Sequence, residues 1–191
     1  IWDKDKDGKL AKAEIPEPKI IKDWTAIDLD RDEALGTRDW KLYQSRRAAQ
    51  NTFQAVKLPP NPKGDITEGA RVWAYTKSLP NVPSPLLYND VLYLMKEGGI
   101  LTTINPKDGT VLKQGRLTGA LSPYFSSPVG ADGKVYITSE AGNAVVLKAA
   151  PEWEILEVND LGEEVHATPA IVDGKIFLRT HAALYCFAKK D

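Results

Sequence analysis

Cysteine, methionine and histidine are nearly missing from this chain: its 191 residues include one Cys, one Met and two His. A lone Cys186 excludes an internal disulfide, and its place on an alternating strand predicts a small buried hydrophobe. No C-x-x-C, G-x-S-x-G or phosphate-binding glycine loop occurs. The histidines, His166 and His181, lie at strand edges with no nucleophile motif beside them, which predicts surface or hydrogen-bonding roles for both. The pair Glu163-Glu164 ahead of His166 is expected to be solvated, as adjacent like charges on loops usually are. There is no run of 18 apolar residues, so no membrane-spanning helix is encoded, and no signal peptide is seen in this stretch. A net charge of -1 argues against nucleic acid or an anionic membrane as a general partner. At 42% hydrophobic, the chain has enough apolar side chains for a sizeable core.

What the chain does have is a patterned acidic segment at its start. Residues 3–14 read DKDKDGKLAKAE, placing Asp3, Asp5, Asp7, Gly8 and Glu14 at positions 1, 3, 5, 6 and 12 of an EF-hand calcium loop. A hard cation takes six to eight oxygens. Alternate short carboxylates supply three, the glycine allows the sharp reversal, and a Glu at position 12 closes the shell with two more. Lys9 would add its backbone carbonyl at position 7, Leu10 at position 8 would point into the core, and Ala11 at position 9 would leave its place to water. Trp2 and Ile15 flank the loop as apolar neighbours.

A weaker copy, DLDRDEALGTRD, spans residues 28–39, with Asp28, Asp30 and Asp32 at positions 1, 3 and 5, Ala34 as the position-7 carbonyl and Asp39 at position 12. Glu33 replaces the glycine where a positive φ is wanted. Asp39 is one methylene shorter than Glu, so this loop is expected to hold calcium less well, to take magnesium, or to stay empty. Between the loops, KIIKDWTAI (19–27) predicts the entering helix of the second hand; Pro16 and Pro18 cut short the exit helix of the first. The run WKLYQSRRAAQ after Asp39 predicts the last helix. The first hand has no entering helix, so the chain reads as a fragment of something longer.

From residue 51 onward a different object begins. Ser84-Pro85, Ser127-Pro128 and Thr168-Pro169 recur at steps of 43 and 41 residues, each followed by a short strand, a turn carrying Asn or Asp-Gly, and a second alternating strand. Third strands are expected at 100–104, 144–148 and 183–187, and fourth strands after Asp108-Gly109 and within 151–161. Residues 51–58 and 70–76 supply the third and fourth strands of an earlier half blade. A period near 40 residues with four short strands is the signature of propeller blades. The aromatics Tyr93, Tyr136 and Phe177 recur at one place per repeat, which predicts packing between blades. The expectation is a mainly β chain: an EF-hand pair over 1–50 inserted in a blade, and about three and a half four-stranded blades over 51–191.

These repeats resemble the PQQ-like β-propeller family, also called quinoprotein alcohol dehydrogenase-like or BamB-like. The family's SPvv..dgkvYv segment is matched by Ser84-Pro85 with Val91 to Leu94, by Ser127-Pro128 with Gly133 to Ile137, and by Thr168-Pro169 with Gly174 to Leu178. Its closing ld..tGk..W is matched by Asn105 to Gly109, with Trp73 at the closing position of the half blade but Lys113 at that place in the next. The resemblance implies a bacterial periplasm or envelope, or secretion, and so access to calcium. It also implies an alternative, a piece of a PQQ-dependent dehydrogenase; such enzymes place an adjacent Cys pair over the quinone beside an Asp base. This stretch has one Cys and no pair, so PQQ is not expected in it. The favoured reading is a calcium-binding, non-enzymatic propeller serving as a binding or scaffold module. Its partners would be upstream blades or a second copy, with an envelope protein or small ligand on the propeller face.

Overall fold

The computed structural model describes residues 2–189. The chain divides into two compact units, residues 1–50 and 51–191.

In the first unit a two-residue ladder, β1 (Leu10–Ala11) against β2 (Ala34–Leu35), pairs Leu10 with Leu35 and Ala11 with Ala34. A single 3-10 turn (Lys12–Glu14) follows β1 and ends ahead of Pro16. The helix expected over 19–27 is broken in two, α1 (Pro18–Lys22) and α2 (Trp24–Ile27). Asp23, at φ -90° and ψ 7°, interrupts it, a conformation short polar side chains favour over the helix interior. Pro18 sits at the start of α1, where a missing N–H costs nothing. The last helix is α3 (Thr37–Ala48). Ile15, Ile20, Trp24, Ile27 and Leu35 form a buried core, with Trp2, Leu10, Trp40 and Tyr43 packed on it.

The second unit is a series of antiparallel meanders, a partial β-propeller. Its half blade pairs β3 (Phe53–Val56) with β4 (Arg71–Tyr75), and the connection between them carries one short helix, α4 (Thr67–Ala70), which the Pro and Gly content did not announce. The first full blade is β5 (Leu86–Tyr88), β6 (Val91–Lys96), β7 (Ile100–Ile104) and β8 (Val111–Arg116). The second is β9 (Val129–Ala131), β10 (Lys134–Thr138), β11 (Asn143–Lys148) and β12 (Ile155–Asp160). The third has β13 (Ala170–Val172), β14 (Lys175–Arg179) and β15 (Leu184–Ala188).

The inner hairpins turn on Asn89-Asp90, Asp132-Gly133 and Asp173-Gly174, all at positive φ, as a two-residue turn matched to strand twist requires. A register shift recurs near the end of the third strand, at Ala55/Val56, Thr103/Ile104 and Val146/Leu147, and bends each outer strand alike.

Aromatic rings on glycines seal two of the junctions between blades. Trp73 covers Gly109 and donates its indole N–H to the Pro106 carbonyl at 2.9 Å. Tyr88 lies over Gly130, and its hydroxyl accepts the Gly133 N–H at 3.0 Å; Trp153 lies against Gly115. Where the family's closing tryptophan is replaced, the Lys113 ammonium sits 4.4 Å from the Trp153 ring centre and donates to the Trp153 carbonyl at 2.6 Å. Tyr93 is fully buried, and desolvation pushes its hydroxyl up to about 12. Tyr136 and Phe177 are half-buried. Between the second and third blades an apolar cleft of about 280 Å³ remains, with Tyr136, Val145, Leu178 and Phe187 among its walls.

Two expectations are corrected. Cys186 is exposed, because β15 is the outermost strand of its sheet among the described residues and nothing there lies over it. Glu163 is no solvated loop charge: it accepts hydrogen bonds from the Thr180 hydroxyl and, at 2.7 Å, from the Tyr185 hydroxyl, tying the loop after β12 to the β14–β15 turn.

Candidate metal centre

The two acidic loops share most of their internal hydrogen bonds, position by position, and the first adds one from the Asp7 N–H to Asp5 Oδ1 at 3.2 Å. Position 1 accepts the N–H of position 6: Gly8 to Asp3 at 3.1 Å, Glu33 to Asp28 at 3.2 Å. Position 5 accepts that of position 7: Lys9 to Asp7 at 2.7 Å, Ala34 to Asp32 at 3.0 Å. Position 12 bridges positions 2 and 9. Glu14 accepts from Lys4 at 2.8 Å and Ala11 at 2.9 Å, while Asp39 accepts from Leu29 at 3.3 Å and Gly36 at 3.0 Å.

The shorter Asp39 therefore does the same structural task as Glu14, and it does so buried. Glu33 also adopts the turn that Gly8 makes, at φ 65° against 84°. A side chain there costs about 1 kcal/mol or more, so the second loop reaches this geometry under strain that the first does not carry.

Within each loop one carboxylate oxygen from every position-1, -3 and -5 aspartate lies within 4.8 Å of the others: Asp3, Asp5 and Asp7 in the first, Asp28, Asp30 and Asp32 in the second. Three like charges so close repel unless something positive joins them. One oxygen in each loop makes the demand specific. Asp3 Oδ1 and Asp28 Oδ1 are buried with no hydrogen-bond partner, and the whole of Asp28 is only 5% exposed. An ionised oxygen hidden from water without a partner costs several kcal/mol, a penalty that a cation at the centre of the triad removes. Glu14 is held ionised to lower pH than usual by the N–H groups of Lys4 and Ala11, and Asp32 by the Lys9 ammonium and the Ala34 N–H.

Sequence reasoning missed the link between the loops. The Lys9 ammonium reaches Asp32 Oδ2 at 2.5 Å, a contact that only the β1–β2 pairing brings within range. It also missed the polar cleft that His166 and His181 share with Arg179 and Thr180. There His166 Nε2 lies 3.2 Å from Glu140 Oε1 and its ring meets Phe125 at 5.0 Å, so this histidine joins the second and third blades. No helix is long and apolar enough to cross a membrane among the described residues.

Comparison with known proteins agrees with the meander architecture. Among solved structures, BamB from Moraxella catarrhalis is similar over 62% of this chain at 17% identity with a TM-score of 0.52; that match takes in 37% of the Moraxella chain. This chain thus spans little more than a third of that protein. Quinohemoprotein alcohol dehydrogenase from Comamonas testosteroni matches over 53% of this chain and 17% of its own, at 14% identity and TM-score 0.43. A europium-containing methanol dehydrogenase matches over 56% and 21%, at 18% identity and TM-score 0.45. No curated protein matches significantly. The family described as outer membrane protein assembly factor BamB matches residues 47–191, which is most of the chain and all of the propeller, and the chain belongs to that family.

Proposed function

We propose that residues 3–39 form a pair of EF-hand sites for calcium, and that the propeller they accompany is a non-enzymatic binding or scaffold module of the bacterial envelope or periplasm. The observation that carries the metal reading is the buried, unpartnered oxygen at position 1 of each loop, Asp3 Oδ1 and Asp28 Oδ1, set among carboxylates already oriented by backbone N–H groups. Such a shell supplies oxygens only, which suits a hard cation. The first loop, with Gly8 and Glu14, is the tighter calcium site; the second, strained at Glu33 and closed by the shorter Asp39, is the weaker and the more tolerant of magnesium.

Membership of the BamB family and the similarity to the Moraxella protein support the placement in the envelope and a role in protein contacts. The propeller partners would be further blades, a second copy, or an envelope protein on the propeller face. The quinoprotein alternative finds less support in these residues. The adjacent Cys pair of such enzymes has no counterpart here, Cys186 being single and exposed on β15, so the residues present do not fit a quinone site. Calorimetric titration of the chain with calcium and with magnesium tests the proposal. Two calcium-binding phases are expected, one removed by Asp3→Asn and the other by Asp28→Asn; absence of calcium binding at millimolar concentration would overturn it.

A further inference from the structure

We propose that Lys9 is a tethered competitor for the second loop: its ammonium occupies part of the place of a cation beside Asp32, and that loop fills only as Lys9 is displaced. The inference rests on the reading of the two loops as divalent-cation sites.

Lys9 serves both loops through different atoms. Its N–H is bonded to Asp7 Oδ1 and its carbonyl stands at position 7 of the first loop, while its side chain crosses to Asp32, position 5 of the second. The ladder of Leu10 on Leu35 and Ala11 on Ala34 begins one residue after Lys9 and holds it alongside the second loop. Asp32 Oδ1 is taken by the Ala34 N–H, so with Lys9 on Oδ2 both oxygens of this carboxylate are engaged.

The arrangement is one-sided, because position 7 of the second loop is Ala34, which has no charge to send back to Asp7. One positive charge does not satisfy the second loop, since Asp28 Oδ1 still has no partner. A divalent ion brings twice the charge and reaches that oxygen as well, so it displaces Lys9, at the cost of breaking the ion pair. Exposed pairs of this kind are worth a few-fold in an equilibrium constant, so release from Lys9 tightens the second loop about two- to fivefold.

The consequence is an order of filling. The first loop loads without hindrance, and the second loads with release of a lysine whose backbone is part of the first.

Calcium calorimetry on the whole chain, comparing Lys9→Met with Lys22→Met, separates this from a general change of charge. Lys22 lies exposed on α1, outside both loops. The expected result is a weaker calcium phase tightened two- to fivefold by Lys9→Met beyond any shift in Lys22→Met, and a difference that shrinks in high salt. In the unaltered chain, the Lys9 side-chain resonances should move in step with the weaker phase, and Asp28→Asn should abolish that movement. Equal weak phases in the two lysine variants, or Lys9 resonances that stay still while the weaker phase saturates, would overturn the role of Lys9 and leave the loops standing as metal sites. A chain that binds no calcium would remove both readings together.

Discussion

The N–H of Ser127 donates to the hydroxyl of Thr168, 2.9 Å away and 41 residues further on, and the Ser127 hydroxyl oxygen in turn accepts the N–H of Ser84 at 2.9 Å. The residues before Pro85 and Pro128 thus each bond to their counterpart in the next blade. Replacing Thr168 by Val keeps the shape and removes the acceptor. A hydrogen bond of this type contributes about 0.5–1.5 kcal/mol, and this one, being exposed, falls in the lower half because water replaces it. Urea unfolding should show Thr168→Val destabilised by that amount and Thr168→Ser close to the unaltered chain; the reverse order would show that the methyl group, and not the hydroxyl, matters here.

Gly130 is expected to tolerate no side chain. A Cβ there would lie 2.5 Å from Tyr88 Cγ, closer than any van der Waals contact permits. Gly130→Ala should cost about 1–3 kcal/mol, the usual range for an overfilled site. The cause is testable by a double-mutant cycle: in a Tyr88→Ala background the same change should cost much less. Additive effects would locate the damage elsewhere.

Acid should weaken the third blade through Glu163. Its carboxyl is held below the ordinary glutamate range, first by the Thr180 hydroxyl and then by that of Tyr185. A depressed folded value means that the stabilisation is fully present above the unfolded value of about 4.5 and is lost as pH falls through the lower folded one. Melting temperature against pH should therefore fall below about pH 4.5, and Glu163→Gln should flatten that limb while lowering stability at neutral pH. An unchanged acid limb in the variant would assign it to other carboxylates.

Calcium should stabilise the first unit more than it reshapes it. At a hundredfold excess over the dissociation constant, binding to the folded state alone adds about 2.7 kcal/mol. The backbone N–H bonds to Asp3, Asp7 and Glu14 already hold the first loop in a ligating geometry, and the single methionine, Met95, is buried in the propeller. Calcium should raise the melting temperature without increasing the fluorescence of an apolar dye, and Glu14→Gln should reduce the gain more than Asp39→Asn does. A large dye signal on adding calcium would indicate an opening transition instead.

Much of the propeller was legible because its signals are local. Asp132-Gly133 and Asp173-Gly174 announce two-residue turns, and the alternating runs beside them give strands within a residue or so of those observed. The aspartate spacing was equally open to reading, since it needs only counting. What stayed hidden depends on residues far apart in the chain. Nothing near Lys9 points to Asp32, nothing near Glu163 points to Tyr185, and the exposure of Cys186 follows from the position of β15 in its sheet, which its own alternation does not encode. The split at Asp23 is a local preference overriding a periodic pattern that looked continuous.

The ring of Tyr88 over Gly130 has a bearing on how such a protein diversifies. Two neighbouring repeats share the volume of one side chain, so neither position is free to drift alone: a larger residue at 130 is admissible only with a smaller one at 88. Recombination that exchanges either of the two blades alone breaks this partnership. Exchange of a segment running from β5 through β9 preserves it, so the unit that can be inherited intact is longer than the single repeat visible in the sequence.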